Sequence, residues 1–153
     1  TVHGLLCFVA LSVPLATVAG DVEDVAAVAR LWAETIGRAD PDAMVQLYHE
    51  DAVLHGTRSP VVRRGHAAIR EYFAEAAKNP GLGMKLAEPM LIRVYGDIAI
   101  NTGNYSVTLT ENGQPRTIPL RYSFVYRKTD GQWKIVDHHS STIPEPPPSE
   151  QTR

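Results

Sequence analysis

The sequence predicts an α+β domain in which three N-terminal helices pack on one face of an antiparallel sheet. Three observations carry this. Segments with apolar residues at helical spacing fill the first half of the chain and stop at Asn79-Pro80-Gly81. Four long runs of alternating side chains fill the second half. Short turn signals separate those runs, so consecutive strands join as hairpins. Helices first and strands after them indicate an α+β arrangement.

The chain of 153 residues fits one domain. Hydrophobic residues make up 44% and charged residues 21%, which suits a packed globular core. The formal net charge is −2 and no basic stripe stands out, so nucleic-acid binding has no electrostatic support. The single cysteine, Cys7, lies in the N-terminal apolar run. That excludes an intramolecular disulfide, a thiolate metal site and a cysteine nucleophile in the domain.

Leu5–Ala19 is an apolar run ending in small residues, and Thr17-Val18-Ala19 resembles a small-x-small cleavage site. Residues 1–20 therefore read as a secretory signal peptide, implying a secreted or periplasmic protein with no membrane attachment after cleavage. The alternative is an N-terminal helix packed on the domain. The run is short for a membrane span, and Pro14 interrupts it.

The domain covers residues 21–144. Asp21–Arg38 is a helix, with Asp21 as cap, Asp24 as the acid of a capping box, and Val25, Val28, Ala29, Trp32 and Ile36 on one face. Gly37 ends it. Asp40 caps a second, short helix with Pro41 at its first position, and Met44, Leu47 and Tyr48 form its buried side. Ala52-Val53-Leu54 is a short strand, and Gly56–Arg64 is a loop with a solvated Arg63-Arg64 pair. Gly65–Lys78 is the third helix, burying Ile69, Tyr72, Phe73 and Ala76. Strands follow at Lys85–Tyr95, Ile98–Thr110, Arg116–Arg127 and Gln132–Thr142. Residues 145–153 are rich in proline and read as a disordered tail.

The functional signal lies in Arg121–Ser141. With Thr129-Asp130-Gly131 as a three-residue loop, Arg121 sits across from His139 and Ser123 across from Asp137. One sheet face then carries Arg121, Ser123, Asp137 and His139 at one end, and Val125, Ile135 and Trp133 at the other. A polar end on an apolar face is how ligand pockets are built. His138 alternates to the opposite face, as a surface or oligomer-interface residue. Tyr105 and Tyr48 can donate from the pocket wall. His49, His55 and His66 show no metal-ligand spacing with acidic partners, so no metal is expected. No phosphate-binding glycine motif or other cofactor signature is present.

Several motifs carry a family resemblance. Asp40-Pro41 leading into Leu47-Tyr48, followed by Asp51-Ala52-Val53, resembles the start of the SnoaL-like superfamily, whose fold is that of nuclear transport factor 2. Arg70-Glu71-Tyr72-Phe73, Gly103-Asn104-Tyr105, Arg121–Tyr126 and Gly131–Ser141 are similar to its bacterial SgcJ/EcaC-type branch, related to the association (hub) domain of calcium/calmodulin-dependent kinase II. The resemblance runs from about Val22 to Pro144. It implies a cone of curved sheet and helices, with a pocket at its open end. It also implies that Arg121 matches a carboxylate-holding arginine of the hub and His139 the hub's histidine in the last strand. Asn104 and Ser140 fall where the hub carries further arginines.

Two classes of function follow. The first, which we favour, is a non-catalytic module that binds a small acidic or aromatic ligand and assembles through its sheet as a homodimer or larger homo-oligomer. Its binding residues would be Arg121, His139, Asn104, Tyr105, Ser123 and Tyr48. The second is an isomerase, cyclase or dehydratase of the SnoaL or ketosteroid-isomerase kind, with His139 and Asp137 as base and Arg121 or Tyr105 as donor.

Overall fold

A computed structural model describes residues 15–145, with three helices and seven strands among them. Most of the expected leader, and the proline-rich tail beyond Glu145, lie outside the described residues. Helix α1 spans Leu15–Gly37 and buries Val25, Ala29, Trp32, Ala33 and Ile36 along one face. It starts before Asp21, because the small and apolar residues ahead of Asp21 continue the helix. The expected capping role of Asp21 is therefore corrected. Its nearly buried carboxylate accepts instead from Lys128 Nζ at 2.5 Å.

Helix α2 is only Pro41–Val45, with Asp40 Oδ1 accepting from the backbone N–H groups of Asp42 and Ala43. Leu47 and Tyr48 do not belong to it. The Leu47 carbonyl accepts from the Ile135 N–H, so the chain leaves the helix to join the sheet. Tyr48–His55 is strand β1, and Arg63–Arg64 is a short β2 paired with it. Helix α3, Gly65–Ala76, buries Ile69 and Phe73 against the sheet.

Strands β3 (Gly83–Leu86) and β4 (Leu91–Tyr95) replace the single run expected there. Pro89 lies between them and has no N–H for a ladder. Both pair with β5, Ile98–Glu111, which is followed by β6 (Gln114–Thr129) and β7 (Gln132–Thr142). The sheet runs β2-β1-β7-β6-β5-β3, with β4 also on β5. Every ladder is antiparallel except β1 on β7, which is parallel. The sheet is curved and unclosed, and the helices cover its concave face.

The β6–β7 hairpin differs from expectation in a way that decides the site. Thr129 pairs with Gln132, so the loop is the two residues Asp130-Gly131, both at positive φ (52° and 76°). That is a type I′ turn. A β-bulge then shifts the ladder: Tyr126 pairs with Ile135, but Val125 pairs with Asp137. The turn and the bulge each move the register by one. Arg121 therefore faces Ser141, and Ser123 faces His139. Because strand side chains alternate, the bulge also exchanges the two faces of β7 beyond Val136. Trp133 and Ile135 point to the core near the turn, and His138 and Ser140 do so beyond the bulge.

Candidate functional site

The helix-facing side of the sheet and the three helices enclose a cavity of about 750 Å³, open at one end. Its walls are apolar. Met84, Val107, Leu109, Ile118 and Leu120 come from the sheet, and Met44 comes from α2. Trp32, Tyr72, Phe73 and Tyr105 add aromatic surface. Trp32 packs edge-on against Phe73 at 6.4 Å and Phe124 at 5.0 Å, so the rings hold one another in place. Tyr72 seats over Gly56, where a Cβ would clash with the ring and lie 2.6 Å from its hydroxyl.

The polar groups fall into two sets. Around the mouth stand Asp40, Arg58, Arg63, Glu71, Glu75 and Lys78. Arg63 and Glu71 approach to 3.5 Å across partly exposed surface. Deeper in, the Ser140 hydroxyl accepts from the Thr57 N–H at 3.1 Å and the Thr57 hydroxyl at 2.8 Å. The Tyr105 hydroxyl adjoins both residues. Burial pushes the Tyr105 phenol up to about 12, with Ser140 and Thr57 partly opposing the shift.

The deepest polar residue is His138, 2% exposed. Trp32 Nε1 donates to the Tyr48 hydroxyl at 3.0 Å, and that hydroxyl lies 2.7 Å from His138 Nδ1. An indole nitrogen can only donate, so the Tyr48 oxygen is the acceptor there. Accepting from His138 as well would leave the buried Tyr48 O–H without an acceptor, so Tyr48 gives its hydrogen to His138 Nδ1. The proton of the neutral imidazole is thereby placed on Nε2, which has no partner in the protein. Burial, with a smaller contribution from His139, lowers the His138 pKa to about 3, so the ring is neutral at physiological pH.

The residues expected to form the site divide between the two faces. Tyr105 lines the cavity, and Tyr48 lies behind its wall as the link between Trp32 and His138. Arg121, Ser123, Asn104, Asp137 and His139 are on the outer face, which corrects their expected place on the concave face. Arg121 and Asn104 are exposed and adjacent, and Arg121 Nε donates to Ser141 Oγ at 3.0 Å rather than pairing with Asp137. His139 is exposed and stacks on His55 at 5.8 Å. His138, expected on the surface, is buried instead. The physical cause is the bulge, which turns His138 inward and His139 outward. One signal could have decided the faces: Tyr122, Phe124 and Tyr126 form a continuous aromatic row, too large to leave in solvent. Arg58, read only as part of a loop, and Arg63, read as solvated, both line the cavity, with β2 folded back on β1.

The comparisons with known proteins agree with this architecture. The SnoaL-like domain matches residues 25–146. A protein from Xanthomonas campestris, named for the calcium/calmodulin dependent protein kinase II association domain, is 35% identical; the match covers 80% of this chain and 87% of that one, with a TM-score of 0.73. A nuclear transport factor 2-like superfamily protein from Salmonella enterica serovar Typhimurium is 24% identical over 86% of this chain and 97% of its own, with a TM-score of 0.77. A ketosteroid isomerase-like protein from Erwinia carotovora atroseptica is 21% identical over 82% and 98%, with a TM-score of 0.69. These last two show a shared fold alone. No curated protein matches the sequence. With the SnoaL-like domain matched over most of this chain and a relative above 30% identity aligned across most of both chains, this chain belongs to the SnoaL-like domain family of the nuclear transport factor 2-like superfamily.

Proposed function

We propose that the domain is a non-catalytic binding module for a small aromatic compound, held in the cavity with any acidic substituent at the mouth. The observation that carries this is the cavity itself: about 750 Å³, walled by apolar and aromatic side chains, with charge confined to its rim. That is the composition of a pocket that takes a drug-sized ring compound. Arg58 and Arg63 replace Arg121 as the groups able to meet a carboxylate. The enzymatic alternative finds less support. His139 and Asp137 lie outside the cavity, His138 is held neutral, and the carboxylates Asp40, Glu71 and Glu75 stand at the rim.

Two further parts of the reading concern assembly and location. Homo-oligomerisation through the outer sheet face draws support from the association-domain relative, and sedimentation of the purified protein tests it. Export draws support from the apolar, small-residue composition of Thr1–Ala19. N-terminal sequencing of the mature protein tests it.

The binding reading is tested by thermal shift of the full chain against 2-naphthoate and 2-naphthol, with Arg58→Ala alongside. A ligand that binds only the native state raises the melting temperature with its concentration. The expected result is stabilisation by both compounds, with the naphthoate shift selectively reduced in Arg58→Ala. No stabilisation by either compound at millimolar concentration would sink the reading.

A further inference from the structure

Five histidines lie among the described residues, and three of them are committed. His138 ends the relay from Trp32 through Tyr48. His49 Nδ1 meets Asp51 and its Nε2 accepts from Arg127 at 2.6 Å, while His66 Nε2 donates to the Tyr48 carbonyl at 3.0 Å. The ring nitrogens of His55 and His139 make no hydrogen bond among the described residues, and the two rings stand side by side. We propose that these two imidazoles chelate one divalent transition-metal ion of the nickel, copper and zinc group, at the outer face of the β1–β7 ladder. The site lies outside the cone cavity and does not depend on what that cavity binds.

Three observations support the assignment. His55 and His139 are direct partners in the parallel ladder, so both side chains leave the same face of the sheet. Their rings lie 27° from parallel, with centroids 5.8 Å apart. Two imidazoles bound to one ion through metal–nitrogen bonds of about 2.0–2.1 Å hold their ring centres about 5 Å apart. Both side chains are exposed, and small rotations about their own bonds close that difference. Finally, the pair borders a hollow of about 280 Å³ between the end of β7 and the loop from Gly56 to Val62, with room for the waters that complete the ion's shell. Spacing along the chain gives no sign of such a site, because the two histidines meet only through the parallel pairing of β1 with β7.

The class of ion follows from the donors. Imidazole nitrogens suit zinc, copper and nickel, whereas calcium and magnesium require oxygen ligands. Among the described residues, no third histidine, cysteine or carboxylate completes a protein ligand set. Tetrahedral zinc would therefore keep its remaining positions for water, and the site stays open to exchange. The charges nearby oppose one another: Asp137 precedes His139 by two residues on the same face, and Arg121 is turned to Ser141 on that face. Affinity thus comes from chelation, and both rings are needed for it. An ion that bridges β1 to β7 also stabilises the native state, since only folding brings the two strands together.

The test titrates the metal-free full chain with zinc chloride by calorimetry, for wild type, His55→Gln and His139→Gln. Wild type is expected to bind one zinc ion per chain. Each substitution should weaken that binding at least about tenfold, since losing even an outer partner of a metal ligand costs that much. Both side chains are exposed, so neither substitution disturbs the core. Zinc should also raise the melting temperature of wild type more than that of either variant. In wild type, NMR should show zinc shifting the ring signals of His55 and His139 while those of His49 and His66 stay in place, a measurement that requires no variant to fold. No zinc binding, undiminished affinity in either variant, one ion per two chains, or shifts confined to other histidines would each overturn the proposal. None of these results bears on the thermal-shift test of the cone cavity, so the two readings fail separately.

Discussion

Tyr48→Phe removes one oxygen and strands two buried atoms. Trp32 Nε1–H loses its acceptor at 3.0 Å, and His138 Nδ1 loses its donor at 2.7 Å. Both side chains are almost fully enclosed, at 1% and 2% exposure, so solvent cannot replace the hydroxyl. An unpaired buried polar group costs about 1–3 kcal/mol. Two of them, partly offset by no longer burying a phenol, give an expected loss of about 2–4 kcal/mol, a large share of an ordinary domain's stability. Tyr122→Phe is the internal comparison. Its hydroxyl donates to the buried Asn101 Oδ1 at 3.1 Å, so only one atom is stranded and the expected loss is about 1–2 kcal/mol. Urea denaturation followed by circular dichroism at pH 7 measures both, provided the slope is unchanged. A Tyr48→Phe loss below about 0.5 kcal/mol, or a larger loss for Tyr122→Phe, would refute the relay as a stabilising element.

Acid should act through His138, whose pKa falls from 6.5 to about 3 on folding. The unfolded chain takes up the proton first, so this contribution is complete above pH 6.5 and is lost as pH falls towards 3, at about 1.4 kcal/mol per unit. Urea melts at pH 7, 6, 5 and 4 should therefore fall less steeply for His138→Phe than for wild type. Gly56→Ala places a methyl group in the Tyr72 ring. It should cost about 1–3 kcal/mol in urea melts and weaken 2-naphthol binding by forcing that ring inward. Asp40→Ala removes the acceptor for two backbone N–H groups at the start of α2, and a loss of about 1 kcal/mol is expected by thermal melting. Lys128→Met leaves the nearly buried Asp21 carboxylate unpaired, so melts should show Asp21→Leu in the same chain restoring part of the stability.

The elements were legible in the sequence wherever periodicity was strong. The α1 face, the α3 face and the three C-terminal hairpin strands follow from side-chain spacing alone, and so does the Asp40 cap. The extent of α2 was hidden, because it is set by a hydrogen bond from Ile135, far along the chain, to Leu47. The cavity's aromatic wall was partly visible in Trp32, Tyr72, Phe73 and Tyr105. Its deepest polar group was not. Whether His138 or His139 faces inward depends on one extra residue in β7, and a bulge has no strong local signature. Asp130-Gly131 does have one, since Asp-Gly favours a two-residue turn with both residues at positive φ. Reading that turn correctly still leaves the bulge to be found. With Tyr122, Phe124 and Tyr126 buried, the pointer to it is Asp137, which an unbulged strand would place in the core opposite Phe124.

The parallel pairing of β1 with β7 has a consequence for biosynthesis. Tyr48 and His138 are separated by 90 positions. As the ribosome delivers the chain, β1 emerges early and its partner strand emerges after every other described strand. Until Gln132–Thr142 is released, β1 has only the two-residue β2 beside it, and the row of Tyr122, Phe124 and Tyr126 lacks its β7 neighbours. Pairings of this span are slow to close, so the interval is long enough for association between unfinished chains. Chains truncated after Asp130 should therefore be cleaved readily by protease and captured by holdase chaperones, and the full 153-residue chain should resist both.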